Sequence, residues 1–184
     1  MVGVWTSERV SNELRRVVFV TPGHQHPTTV TMSANRRSAL LKAANDHDFI
    51  IVEDDYESEL NQDVGPIPAL KSIDSDDRVI YIGSMSKLFA HGLRLGYLVA
   101  PTAFAREARA LRQLITRRTP SNNQRTFGLF LANGFYDAFI RRVKVAYRDR
   151  WEIVSDAVAK HFRDTRIVKT YGAVLKPAEP SCVV

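Results

Sequence analysis

Three short apolar runs separated by stretches of helical pattern constrain this chain most. They are Val17-Val18-Phe19-Val20, Phe49-Ile50-Ile51-Val52 and Val79-Ile80-Tyr81-Ile82. Each is β-prone and of strand length. Between the first two, Ser33 is placed to cap a helix running to about Asp46, with Leu40, Leu41 and Ala44 on its inner face. Residues Asp63 to Ile73 read as a loop bearing Pro and Gly. A fourth strand is expected from Leu95 to Ala100, stopped by Pro101. Helices are then predicted over Thr102 to Thr116, Ser121 to Ala132, and Gly134 to about Phe162. In the last of these, Tyr136, Phe139, Ile140, Val143, Tyr147, Trp151 and Val154 recur near helical spacing. Strands alternating with helices predict an α/β fold with a mostly parallel sheet flanked by helices. The chain shows no internal repeat.

The third apolar run leads into Gly83-Ser84-Met85-Ser86-Lys87, and Arg94 follows seven residues past the lysine. A small Gly/Ser turn at a strand end thus presents one amine beside hydroxyls and a guanidinium. This set suits a Schiff base with a phosphorylated aldehyde, the hydroxyls and Arg94 holding the phosphate. The plainer reading makes Lys87 one surface lysine among many.

The second apolar run ends in Glu53-Asp54-Asp55-Tyr56-Glu57-Ser58-Glu59. Acids at the carboxyl end of a parallel strand often face a cleft. A pyridinium cofactor needs a carboxylate at its ring nitrogen and a donor near its phenolic oxygen, and this run offers both. The alternative is a solvated loop that ends the strand.

Together, Glu53-Asp54-Asp55-Tyr56, Ser84-Met85-Ser86-Lys87 and Gly92-Leu93-Arg94-Leu95-Gly96-Tyr97 resemble fold-type I pyridoxal-phosphate enzymes, the aspartate aminotransferase superfamily. The stretch Thr21-Pro22-Gly23-His24-Gln25-His26-Pro27-Thr28-Thr29-Val30-Thr31-Met32-Ser33 and the following Arg36-Arg37-Ser38-Ala39-Leu40-Leu41 sharpen the resemblance. They are similar to the aminotransferase-like domain of MocR-type regulators in the GntR group. Leu131-Ala132-Asn133-Gly134 and Tyr147-Arg148-Asp149-Arg150 keep the same order. The resemblance spans roughly residues 15 to 172.

The resemblance implies pyridoxal 5'-phosphate as cofactor and a role for each matching residue. Lys87 corresponds to the lysine of the internal aldimine. Asp54 corresponds to the partner of the pyridine nitrogen, with Asp55 the competing choice. Tyr56 lies beside the phenolic oxygen, and Ser84, Ser86 and Arg94 contact the phosphate. His26 stands where related enzymes carry asparagine before proline, so His24 or Gln25 is expected to replace that polar contact.

The resemblance also implies a partial large domain over residues 15–162, with a lead-in at 1–14. Residues 163–184 are expected to hold the start of a small domain and a divergent tail. The expectation is a domain truncated at both ends, with part of the cofactor cage and weak cofactor binding. It implies an amino acid or amine ligand, a homodimer in complete relatives, and DNA contact only through a separate winged-helix domain. Two alternatives stand beside the regulator: a truncated free-standing amino-acid transaminase, and an inactive gene remnant.

Composition narrows the remaining classes. No apolar run approaches the roughly 20 residues of a membrane helix, and no signal-peptide pattern opens the chain. The single cysteine, Cys182, fits a reducing cytoplasm. A net charge of +6 invites a nucleic-acid reading. The arginines, however, fall mostly on helical stretches as solvated faces, and no helix-turn-helix pattern is present.

Overall fold

The computed structural model describes residues 16–23, 25, 30–56, 68–85, 89, 91–117, 120–161, 165–166 and 176–177. The elements in chain order are β1 (Val17–Val20), α1 (Ala34–Asp46), β2 (Ile50–Asp55), β3 (Val79–Ser84), β4 (Gly96–Val99), α2 (Thr102–Thr116), α3 (Ser121–Ala132), α4 (Phe135–His161), β5 (Thr165–Arg166) and β6 (Lys176–Pro177). Short 3-10 turns occupy Leu70–Ile73 and His91–Leu93. By contacts the chain divides into one unit of Met1–Ser58 with Pro66–Phe127 and a second of Glu59–Gly65 with Gly128–Val184.

The first unit holds a four-stranded sheet in the order β1-β2-β3-β4. β1, β2 and β3 are parallel, and β4 returns antiparallel to β3. The mostly parallel α/β sheet expected from the sequence is thus present. In register, Val18 pairs with Ile51 and Ile51 with Val79, so the three share one face. They pack with Ala43 and Ala44 of α1, Phe49 and Leu70 into the buried core, flanked by Val20, Leu40 and Leu41. Phe49, Ile51, Leu70 and Val79 are fully enclosed. Cutting any of them to alanine would cost on the order of 3 kcal/mol by lost burial and a residual cavity.

Several boundaries differ from the sequence reading. β2 runs through Asp55 instead of ending at Val52. The ladder continues because Val20 pairs with Glu53, Asp54 with Ile82 and Asp55 with Gly83. The acidic residues Glu53, Asp54 and Asp55 are therefore strand, not a strand-ending loop. β3 extends likewise to Ser84. Of the expected Asp63–Ile73 loop, residues 63–67 lie outside the described residues, and Leu70–Ile73 forms the 3-10 turn. Ser33 precedes α1 but makes no side-chain capping bond; its carbonyl accepts the Arg37 N–H at 3.0 Å.

α2 and α3 match their predicted spans, and α4 runs one residue inside its predicted ends. In the second unit, Tyr136, Phe139, Ile140, Val143, Tyr147 and Trp151 form a half-buried stripe on α4. Val154 falls off it and is exposed; the stripe continues through Ser155 to the buried Val158. Among the described residues, no helix is long and apolar enough to cross a membrane.

Candidate functional site

The sheet topology brings the candidate residues to one edge. Because β1, β2 and β3 are parallel, their carboxyl ends lie together. β4 starts at that same edge, since its first residue, Gly96, pairs with Ser84, the last of β3. Gln25 lies in the loop after β1, Asp54 and Tyr56 at the end of β2, Ser84 at the end of β3, and Arg94 just before β4. In open α/β sheets this carboxyl edge is where ligands bind.

The two neighbouring aspartates point to opposite faces, as consecutive strand residues must. Asp54 shares its face with Val52, with its partner Ile82 and with Ser84 two residues on. Asp55 shares the other face with Glu53, Tyr81, Gly83 and Tyr97. There its Oδ2 accepts a hydrogen bond from the Tyr81 hydroxyl at 2.9 Å. Partial burial, and then the Asp55 charge, raise the Asp54 carboxyl above the usual aspartate range. Burial, followed by the Asp54 and Asp55 charges, raises the Tyr56 phenol, so it remains a proton donor at neutral pH.

Two buried charged residues support this edge. The Glu53 carboxylate accepts the Leu70 N–H at 2.8 Å and the Lys71 N–H at 2.9 Å, capping the 3-10 turn. Burial raises its carboxyl in spite of those two bonds. Arg37 of α1 is 4% exposed. Its guanidinium donates to the carbonyls of Met32 at 3.0 Å, Pro22 at 2.9 Å and Pro68 at 2.5 Å. It thus ties the loop after β1, at both of its ends, to the segment entering the 3-10 turn. Within that loop Met32 N–H bonds Pro22 at 2.9 Å and Gln25 N–H bonds Val30 at 3.2 Å. The Gln25 Oε1 accepts the Thr21 hydroxyl at 3.1 Å.

On the far side, Met85 N–H bonds the Leu95 carbonyl at 3.0 Å, and the Asn123 amide bonds the Leu93 carbonyl at 3.2 Å. Between these ties Arg94 is exposed with φ 49°, a left-handed conformation that a residue with a Cβ rarely adopts. Such a residue costs about 1 kcal/mol. Its guanidinium has no hydrogen-bond or ion-pair partner among the described residues. His24, Ser86 and Lys87 lie outside the described residues.

Sequence reasoning missed Glu53, Arg37, Tyr81 and Tyr97. Charge following an apolar run reads as a strand end, which hid Glu53. Arg37 stands among exposed neighbours on α1, and nothing in its local sequence marks it as buried.

The description aminotransferase class I and II fits residues 6–141. The chain belongs to this family. It is 48% identical to the HTH-type transcriptional regulator TauR of Rhodobacter capsulatus over 143 residues, 78% of this chain and 30% of that protein. It is 30% identical to the probable rhizopine catabolism regulatory protein MocR of Rhizobium meliloti over 160 residues, 87% of this chain and 32% of that one. Among solved structures, the kynurenine aminotransferase of Pyrococcus horikoshii superposes with a TM-score of 0.78 at 31% identity. That match covers 86% of this chain and 39% of the other. The chain thus spans about a third of the length of the relatives it matches.

The cofactor of this aminotransferase family is pyridoxal phosphate. The donor set at the carboxyl edge fits it. Asp54 offers a carboxylate for a pyridinium nitrogen, Ser84 a hydroxyl on the same face, and Arg94 a guanidinium with no carboxylate partner among the described residues.

Proposed function

We propose that this chain forms the cofactor-holding part of an effector domain in a MocR-type transcriptional regulator, one that binds pyridoxal phosphate and responds to an amine or amino acid. The observation that carries the reading is the 48% identity to a regulator across 78% of the chain. The gathering of Asp54, Ser84 and Arg94 at one sheet edge supports it.

In this reading each residue has one task. Asp54 keeps the ring nitrogen protonated by its negative charge. Tyr56, with its raised phenol, donates to the phenolic oxygen, assisted by Gln25 or His24. Ser84, Ser86 and Arg94 hold the phosphate, where a planar guanidinium gives two parallel bonds. Lys87 Nζ would hold the cofactor through its aldehyde carbon, the aldehyde oxygen leaving as water, and would accept and return a proton. Bound pyridoxal phosphate supplies an electron-withdrawing ring for chemistry on the ligand's amino group. The complete regulator is proposed to act in the cytoplasm as a homodimer and to reach DNA through a winged-helix domain.

A second reading, a free-standing amino-acid aminotransferase, is favoured by the likeness to the Pyrococcus horikoshii kynurenine aminotransferase. The two share the cofactor and differ in turnover. The test is pyridoxal phosphate titration of the full chain, borohydride fixation and peptide mass mapping. A phosphopyridoxyl mass on Lys87, absent in Lys87→Ala, is the expected result, and its absence at saturating cofactor would sink the cofactor assignment. Oxo-acid formation from an amino donor by the loaded chain would favour the enzyme reading over the regulator.

A further inference from the structure

On the helix-covered face of the sheet, behind Asp54, three side chains meet across three strands. Asp55 is the last residue of β2, and its partner on β3 is Gly83. The glycine opposite carries no side chain of its own toward Asp55. Tyr81, two residues earlier on the same face of β3, reaches over instead, its hydroxyl donating to Asp55 Oδ2 at 2.9 Å. Tyr97, the β4 partner of Gly83, fills the space above the glycine. A Cβ on Gly83 would lie 2.3 Å from Tyr97 Cζ. The Tyr97 and Tyr81 rings stand 5.8 Å apart with their hydroxyl oxygens at 3.5 Å.

We propose that Tyr81 is a positioning residue: by holding Asp55 on the helix-covered face, it keeps the adjacent Asp54 carboxylate on the opposite face beside Ser84. The physical basis is the period of two along a strand. A slip of one residue at the end of β2 would exchange the faces of the two carboxylates. The end of a strand is held by fewer bonds than its middle, and Asp55, half-buried beside the exposed and like-charged Asp54, gains by turning to water too. The charge-assisted bond from the Tyr81 hydroxyl to Asp55 opposes both tendencies at the last ladder position. Tyr97 acts as the cover that keeps Tyr81 and Asp55 together, which is why position 83 has no side chain.

The link to cofactor binding rests on the assignment of Asp54 to the ring nitrogen, so the test separates the two. Carboxyl-carbon NMR titration of the full chain without cofactor reads Asp54 directly, and pyridoxal phosphate titration reads the site. In Tyr81→Phe the end of β2 is released, Asp54 leaves its place beside Ser84, and its midpoint falls toward the ordinary aspartate value. Pyridoxal phosphate affinity falls about tenfold. Tyr97→Phe keeps the ring over Gly83 and leaves both close to wild type.

A folded Tyr81→Phe chain with an unmoved Asp54 midpoint overturns the proposal, whatever happens to binding. A shifted midpoint in a protein whose wild type takes no pyridoxal phosphate upholds the positioning role and defeats the cofactor assignment instead. Should Tyr81→Phe not fold, the wild type itself decides. Its Tyr81 hydroxyl proton must be slow to exchange and coupled to the Asp55 carboxyl carbon. A fast-exchanging proton without that coupling overturns the proposal.

Discussion

The buried carboxylate of Glu53 accepts the Leu70 backbone N–H at 2.8 Å, joining the strand that carries Asp54 to a turn 17 residues further on. This bond fixes the site strand from its buried side. With the bond to Lys71 N–H, it satisfies two donors that the 3-10 turn leaves without intrahelical partners.

Glu53 and Asp74 give stability slopes of opposite sign with pH. Burial raises the Glu53 carboxyl, so the folded chain holds that proton more tightly than the unfolded chain. Its contribution is largest below the ordinary glutamate value and declines as pH rises through the folded value. Burial also pushes Asp74 up, but the Lys71 ammonium at 2.9 Å and the Val79 and Arg78 N–H groups together outweigh it. Asp74 is therefore lowered, and its contribution is complete above the ordinary aspartate value and lost as pH falls through the folded one. Urea midpoints from about pH 3 to 8 should show Glu53→Gln flattening the decline toward higher pH. Asp74→Asn should cost about 2 kcal/mol at neutral pH and little in acid.

Arg37→Met should destabilise the first unit by about 3 kcal/mol, because three carbonyl bonds, one buried and two part-buried, vanish together. Arg37→Lys should recover less than half of that, since an ammonium cannot span three carbonyls in a plane. Hydrogen exchange at the Met32 amide, which bonds Pro22, is the readout. Equal protection in Arg37→Lys and wild type would show that the fork geometry is dispensable.

Gly83→Ala should cost about 1–3 kcal/mol through overpacking, as the added Cβ meets the Tyr97 ring. Adding Tyr97→Ser should return part of the loss, a coupling that a double-mutant cycle measures. Strictly additive effects would mean that the ring moves aside without penalty.

Arg94 sits in a left-handed conformation and carries the guanidinium assigned to the phosphate. Arg94→Gly should stabilise the fold by up to ~1 kcal/mol while weakening pyridoxal phosphate binding about tenfold or more. Thermal melts of the chain without cofactor, set beside titrations with it, separate the two effects. A variant that loses neither strain nor affinity would remove Arg94 from the site.

The elements up to α4 were legible in the chain, whereas the short β5–β6 pair was not expected. Apolar runs marked the strands and apolar spacing marked the helices, so α2 and α3 fall on their expected residues. The boundaries of β2 and β3 were not legible, because the cue for a strand was apolarity and both strands end in polar residues. Those residues stay in the ladder because a partner strand completes their backbone bonds, a fact of pairing and not of local composition.

The sequence by itself determined the α/β order, the family, and the residue types that suit a phosphorylated pyridine. Each of these depends on spacing within short windows, which the chain carries in one dimension. Only the tertiary structure decided between Asp54 and Asp55 as the residue sharing a face with Ser84. Which of the two carboxylates faces α1 depends on register with β3 and on where that helix packs. Only the fold, likewise, put Arg37 and Glu53 in the interior. A charge is tolerated there when carbonyls or N–H groups from distant segments converge on it, and that convergence exists only once the chain has folded.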